Sequence, residues 1–267
     1  MKFNPRHPAP SRSYLMENFR VFALLVLLSV SGPVFVQPVS ASESQSVPLQ
    51  VAVTSMPPLI LPDGKGYLDR VLAELLLRSG LELEAIALPP RRGLNDADAG
   101  VIDAAVIPFK TLLSPRTGPG FHNLLVLPEP LMPTEFSGMF TRTNMRLSSV
   151  EDVHDFRVGF LQGMRLPIDI LEDHERKEAV SNPRALMEML ADDRVDVVLF
   201  STATGQYIAS EIGLQNLQVS DFTVRRHLYL HVHKHHANLI PLLDSHLAAM
   251  KQDGTMDSIL AGYSIPW

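Results

Sequence analysis

Cysteine is absent from all 267 residues. That absence excludes disulfides, thiolate catalysis, cysteine-built metal centres and a lipid-modified cysteine at the exit of a leader. A Gly-x-Ser-x-Gly nucleophile elbow and a phosphate-cradling glycine loop are missing too, and Ser201-Thr202 with its distant histidines forms no triad pattern. No internal repeat, heptad pattern or low-complexity tract is present. Basic charge is in deficit, with 23 Lys and Arg against 29 Asp and Glu.

The apolar run at the start is short. Residues 21–30 read VFALLVLLSV, preceded by Arg20 and broken by Gly32-Pro33, with Val39-Ser40-Ala41 supplying small residues. Basic end, apolar centre and small-residue exit are the order of a secretory signal peptide. The run falls short of the roughly 20 apolar residues that a bilayer core of about 30 Å requires. The expectation is therefore a leader over 1–41, cut after Ala41, with Met16 as an alternative start. Without Lys2, Arg6, Arg12, Arg20 and Glu17, residues 42–267 hold 19 basic and 28 acidic side chains, a net of −9. Such a surface argues against nucleic acid or anionic membrane as a partner. An exported chain without cysteine fits a bacterial periplasm, where it would be free and unlipidated.

Hydrophobic periodicity then alternates. Leu49 to Thr54 reads as a strand, Tyr67 to Gly80 as a helix closed by glycine, and Leu81 to Leu88 as a strand. Arg91 to Ala99 reads as a short helix and Ile102 to Ile107 as a third strand. That order predicts a parallel sheet with helices on its faces. A proline-rich stretch, Pro108 to Pro133, reads as connector. Phe136 to Arg142 is the next strand, and Ser148 with Glu151 suggests a capping box. Arg157 to Leu161 reads as a strand, Leu166 to His174 as a helix, and Asn182 to Leu190 as a helix with Pro183 at its first position. Val195 to Phe200 (strand), Thr204 to Ile212 (helix), Leu228 to Val232 (strand) and Leu239 to Gln252 (helix) follow, with a last helix from Met256. Two α/β units flanking a connector predict a cleft between lobes, a preferred place for small molecules.

Five stretches carry a family likeness: VAVTSMPP (51–58), GYLD (66–69), LPPRRGL (88–94) followed by Gly100 to Ala104, SVEDVHDFRVGFLQG (149–163) and KQDGTMDSIL (251–260). In order and spacing they resemble the family 3 extracellular solute-binding proteins, which have the type 2 periplasmic-binding fold. The resemblance covers nearly all of the chain beyond the leader. It implies an α/β, two-lobed architecture with lobe 1 from 42–130 and 227–267, lobe 2 from 131–226, and hinge closure between them. It implies a monomeric periplasmic receptor that captures a small polar solute, needs no cofactor or metal, and serves an ABC permease or a sensor kinase.

Departures from the family pattern shape the expected site. Amino-acid-binding members place an aspartate after the strand ending here at Phe200, where Ser201 now stands. Their Thr-Pro-x-Arg arginine, which forks onto a carboxylate, is here one position early as Arg116. Met56 replaces an aromatic. A standard α-amino acid is therefore not the expected ligand.

The candidate ligand-binding residues are Met56, Arg92, Phe109, Arg116, Gln162, Gly163 and Ser201. Arg92 matches the family arginine at a helix start, where a cation is unfavourable for the helix dipole; a solvated surface arginine accounts for it equally, and Arg91 is expected at the surface. Gln162-Gly163 either offers backbone N–H groups to an anion or is a plain turn. Met56 and Phe109 line an apolar wall or pack in the core. His227, His231, His233 and His235 share one parity, which could chelate zinc or copper. The expectation is instead a solvated histidine-rich edge without metal. The alternative function is an enzyme on the same fold, similar to a cyclohexadienyl dehydratase. It would need a cleft acid, for which Glu129, Glu135 and Asp169 are the candidates.

Overall fold

The computed structural model describes residues 47–110, 120–263 and 265. The expected leader over 1–41 and the candidate Arg116 lie outside these residues. Strand β1, Leu49–Val53, is buried apart from Gln50. An apolar run without alternation suits a strand covered on both faces. Helix α1, Tyr67–Arg78, buries Leu68, Val71, Leu72, Leu75 and Leu76 along one stripe, each worth about 1.5–3 kcal/mol relative to exposure. Its start explains the glycine in the sequence. Asp69 Oδ2 accepts from the N–H groups of Gly66 at 3.0 Å and Leu61 at 2.9 Å. A Cβ on Gly66 would collide with the Leu59 carbonyl.

Strand β2, Leu83–Ala87, and strand β3, Ala104–Ile107, flank β1 in parallel, with helix α2, Pro90–Asp98, between them in sequence. The expected connector is not wholly irregular. It contains a short strand β4, Leu124–Val126, and the start of β5, Met132–Phe140. Pro133 is tolerated because β5 has one neighbour there: it pairs with β9 from Met132, but with β8 only from Phe136.

The second α/β unit follows. The expected capping box gives way to a 3-10 turn, Glu151–Asp155. The carboxylate that reaches back is that of Asp152, accepting from Ser148 N at 2.7 Å and Ser149 N at 2.9 Å. Strand β6, Val158–Leu161, leads to helix α3, Arg165–Ile170, shorter than expected, and then to strand β7, Lys177–Val180, which the sequence reading lacks. Helix α4, Pro183–Ala191, is capped by Asn182, whose Oδ1 accepts from Arg184 N and Ala185 N. The fully buried β8, Val197–Ser201, and helix α5, Thr202–Glu211, complete it. Asp196, just before β8, receives the Arg157 guanidinium at 2.9 and 3.0 Å and Arg142 at 2.6 Å.

Strand β9, Gln218–His233, joins the halves. It runs antiparallel to β5 as far as Leu228 and antiparallel to β3 from Tyr229. The strand order is β2-β1-β3-β9-β5-β8-β6-β7, with β4 on β9. Helices α6, Ile240–Gln252, and α7, Thr255–Ile259, return to cover α1. One core gathers Val51, Leu72, Leu75, Leu230, Leu247 and Met250, and another Phe136, Met139, Leu186, Met187, Val198 and Phe200.

The histidines of β9 correct an expectation. His231 is 1% exposed and His233 4%, so this part of the run is core rather than a solvated edge. Both lie in the stretch of β9 paired on one side with β3 or its flank and on the other with β4. Among the described residues no group of three or more His, Asp or Glu is arranged to hold a metal ion. No described helix is long and apolar enough to cross a membrane.

Candidate functional site

The parallel strands of both units end on the same space. In open α/β sheets such carboxyl ends are where ligands sit. A cavity of about 390 Å³ occupies it, within the range usual for small-molecule sites. The end of β1 contributes Val53, Thr54 and the following Met56; the end of β3 contributes Ile107, Pro108 and Phe109. From the other unit come Phe136 of β5 and the run Gly163 to Leu166 after β6. Leu228, where β9 changes partner, forms part of the wall.

The two units touch across this space. A Cβ built on Gly163 would lie 3.3 Å from both the Cβ and the N of Arg91. Gly163 also has φ +84°, so a side chain there is opposed twice, by its own backbone and by α2. Close by, the Arg165 guanidinium stacks on the Phe109 ring, 5.0 Å from its centroid. Its Nε also donates to Asp169 Oδ2 at 3.3 Å. A cation over an aromatic face is attracted by about 0.5–2 kcal/mol depending on desolvation.

Of the expected residues, Met56, Phe109 and Gly163 lie together on the cavity wall. Arg92 does not: its side chain is 70% exposed and Nε donates to Asp96 Oδ2 at 3.3 Å. Arg91, expected at the surface, is exposed as expected and also lines the cavity. Because α2 begins at Pro90, Arg91 and Leu94 share the cavity face at i,i+3, while Arg92 and Asp96 share the outer face at i,i+4. Gln162 is exposed and off the wall; its N–H extends the ladder by donating to Val180 O at 2.7 Å. Ser201 is fully buried opposite Phe136 in the β5–β8 ladder, behind the wall, and its Oγ has no partner among the described residues.

Several lining residues escaped sequence reasoning: Thr134, Phe136, Phe121, Met164, Arg165 and Leu166. Only the last three had a signal, since they follow Gly163 in the strand-to-helix turn. Phe121, Thr134 and Phe136 sit in or beyond the proline-rich stretch, where no motif marks the wall.

The described wall contains no Asp or Glu. Glu129 accepts from Lys251 Nζ at 2.7 Å, which holds its carboxyl below the usual range. Glu135 meets Arg225 at 3.4 Å, and Asp169 is turned to Arg165. The charged side chains on the described wall are Arg91 and Arg165.

This architecture is the two-lobed fold of the periplasmic-binding proteins. A histidine kinase sensor domain with similarity to periplasmic binding proteins superposes with a TM-score of 0.71 at 17% identity, over 82% of this chain and 96% of that one. A mutant of ArgBP from T. maritima gives 0.68 at 18% identity, over 80% and 93%. The GluR0 ligand-binding core from Nostoc punctiforme, in complex with L-glutamate, gives 0.68 at 16% identity, over 82% and 100%. No known family profile matches the sequence, and no curated protein matches it either.

Proposed function

We propose that this chain is an exported solute receptor that closes two lobes on a small organic molecule and releases it unchanged. The observation that carries this reading is the cavity itself, walled from both units and held together by Gly163 against Arg91 and Arg165 against Phe109. The lobes take the boundaries 42–130 with 227–267 and 131–226, a division supported by the change of β9 partner between Leu228 and Tyr229. Met56, Phe109 and Gly163 are the expected residues that contact solute, joined by Arg91 and Arg165. The fold neighbours include a kinase sensor domain and the substrate binding protein of an amino acid ABC transporter, which supports a sensor kinase or a permease as the membrane partner. The leader-like segment over 1–41 supports a periplasmic setting.

The alternative, a dehydratase on the same fold, needs an acid within hydrogen-bond reach of the leaving hydroxyl. The described wall offers none, and Glu129, Glu135 and Asp169 are each turned to a basic partner. A thermal-shift screen of residues 42–267 against amino acids, polyamines, organic acids and sugars tests the receptor reading. A ligand that binds only the native state raises the midpoint by mass action. A saturable shift with the solute recovered intact is expected. Disappearance of prephenate with time, or a shift with no member of any class, contradicts it.

A further inference from the structure

The proposed receptor leaves open what kind of solute the cavity takes, and its wall chemistry answers. Burying an ammonium is costly unless a carboxylate pairs it, and an aromatic face is a weaker substitute. The described wall has no carboxylate, and residues 111–119, TLLSPRTGP, contain no Asp or Glu in sequence. The Phe109 ring already carries the Arg165 guanidinium, so an incoming ammonium would meet a cation there, and the other wall aromatics, Phe121 and the buried Phe136, come with no described carboxylate to pair an ammonium. At the end of β8 the side chain is the neutral, buried Ser201.

The opposite charge is well provided for. Arg91 on α2 and Arg165 on α3 both line the cavity, one from each unit, and Gly163, two residues before Arg165, abuts the Arg91 backbone and Cβ. Arg165 is partly balanced by Asp169. Arg91 is in none of the ion pairs found among the described residues. The rim is therefore net positive, and a guanidinium fork suits a carboxylate. The rest of the described wall is mainly apolar, with Leu59, Ile60, Leu88, Phe136, Met164 and Leu166 among its side chains. Thr54 and Thr134 are the hydroxyls in that wall, and Thr54 Oγ1 already donates to Leu88 O at 3.3 Å. Such a lining rejects a sugar or a polyamine, whose polar groups would go unpaired on burial.

We infer that the ligand is an amine-free carboxylate with an aryl or alkyl body, its carboxylate held at the rim by Arg91 and Arg165 and its body in the apolar cavity. The inference rests on the receptor reading above, and goes beyond it by fixing the ligand class. It also makes closure charge-coupled, because the anion neutralises two cations that approach each other as the lobes meet.

The test uses residues 42–267 and probes that differ only in head group: 3-phenylpropanoate, L-phenylalanine, 2-phenylethylamine and 3-phenylpropanamide, with straight-chain carboxylates from butanoate to decanoate. Titration calorimetry is expected to show saturable binding of at least one carboxylate. Binding of L-phenylalanine and of the amide should be at least tenfold weaker than that of the matched acid, and the amine should not bind. Arg91→Met should weaken carboxylate binding at least tenfold and Arg91→Lys less, with unfolding midpoints unchanged because Arg91 is an exposed residue. Amino acid or amine binding at least as tight as the acid overturns the inference and leaves the receptor reading standing. So does equal binding of the amide, or an Arg91→Met affinity equal to wild type. If no acid binds, the inference falls, and the receptor reading is then decided by the wider thermal-shift screen.

Discussion

Gly163 meets two demands at once, a φ of +84° and the close approach of Arg91. A Gly163→Ala substitution should cost about 1–2 kcal/mol for the left-handed backbone alone. It should also weaken ligand affinity at least tenfold, because the methyl props α2 away from the turn after β6. Urea unfolding and titration calorimetry on the same variant separate the two effects; unchanged affinity would remove Gly163 from the closed contact. Asp196 makes a prediction about stability and pH. The Arg157 guanidinium, the Arg157 backbone N–H and nearby Arg142 hold its carboxyl at about 2, against an unfolded value of about 3.9. Its contribution is full above the unfolded value and is lost as pH falls through 2. Since Arg142 and Arg157 are each over 40% exposed, solvent screening leaves about 1–2 kcal/mol. Asp196→Asn should lower the unfolding free energy by that amount at pH 7, with the gap to wild type closing near pH 2. At this scale the sequence was readable where glycine or proline fixed the backbone, as at Gly66, Gly163 and Pro183. It was misleading by one step at Arg91 and Arg92. Two adjacent arginines differ only in helical phase, and which phase faces the cavity is set by how α2 packs, with Arg91 and Leu94 on the wall.

Strand β9 is the element whose role was hardest to read. Leu228 to Val232 shows an apolar pattern, but the 16-residue strand begins ten residues earlier, in a polar stretch that gains its structure from pairing with β5. Strands β4 and β7 were hidden for a related reason: three residues in one case, and a charged, exposed edge in the other, give no period to detect. By contrast α1, α4 and the buried strands β1, β6 and β8 carry enough apolar pattern or capping chemistry to be placed within a few residues. Burial of β9 changes the behaviour of its histidine. Burial pushes His231 down to about 4, whereas an unfolded histidine titrates near 6.5. Above about 6.5 the ring is neutral in both states and has no effect on stability. Between 6.5 and 4 the unfolded chain takes up a proton that the native ring refuses. Stability should therefore fall by up to about 1.4 kcal/mol per pH unit in that window. A His231→Gln variant should show a flatter slope between pH 6.5 and 4 in urea titrations; an equal slope would assign the acid sensitivity to another group. In α1, Leu72→Ala should cost about 2–5 kcal/mol, since the side chain is fully buried and its neighbours belong to one rigid core.

For the molecule as a whole, the restart of an α/β pattern after a proline-rich stretch was enough to predict two units with a cleft, and the cavity lies at the carboxyl ends of their parallel strands. Ligand chemistry was less legible. The departures at Ser201 and Arg116 pointed away from a standard amino acid, but the placing of Arg91 and Arg165 on one wall joins residues far apart in sequence. The fold neighbours include receptors for amino acids, yet the described wall here has two cations and no acid. The measurement that tests capture between the lobes most directly is titration of wild type and Leu88→Trp with the carboxylate series. Leu88 lines the cavity and is half-buried, so the indole should fill the cavity without unfolding the chain. The prediction is one saturable site in the wild type, the ligand recovered intact, and loss of binding in Leu88→Trp at an unfolding midpoint close to wild type. Binding that persists unchanged in the filled variant would place the ligand elsewhere and contradict the account.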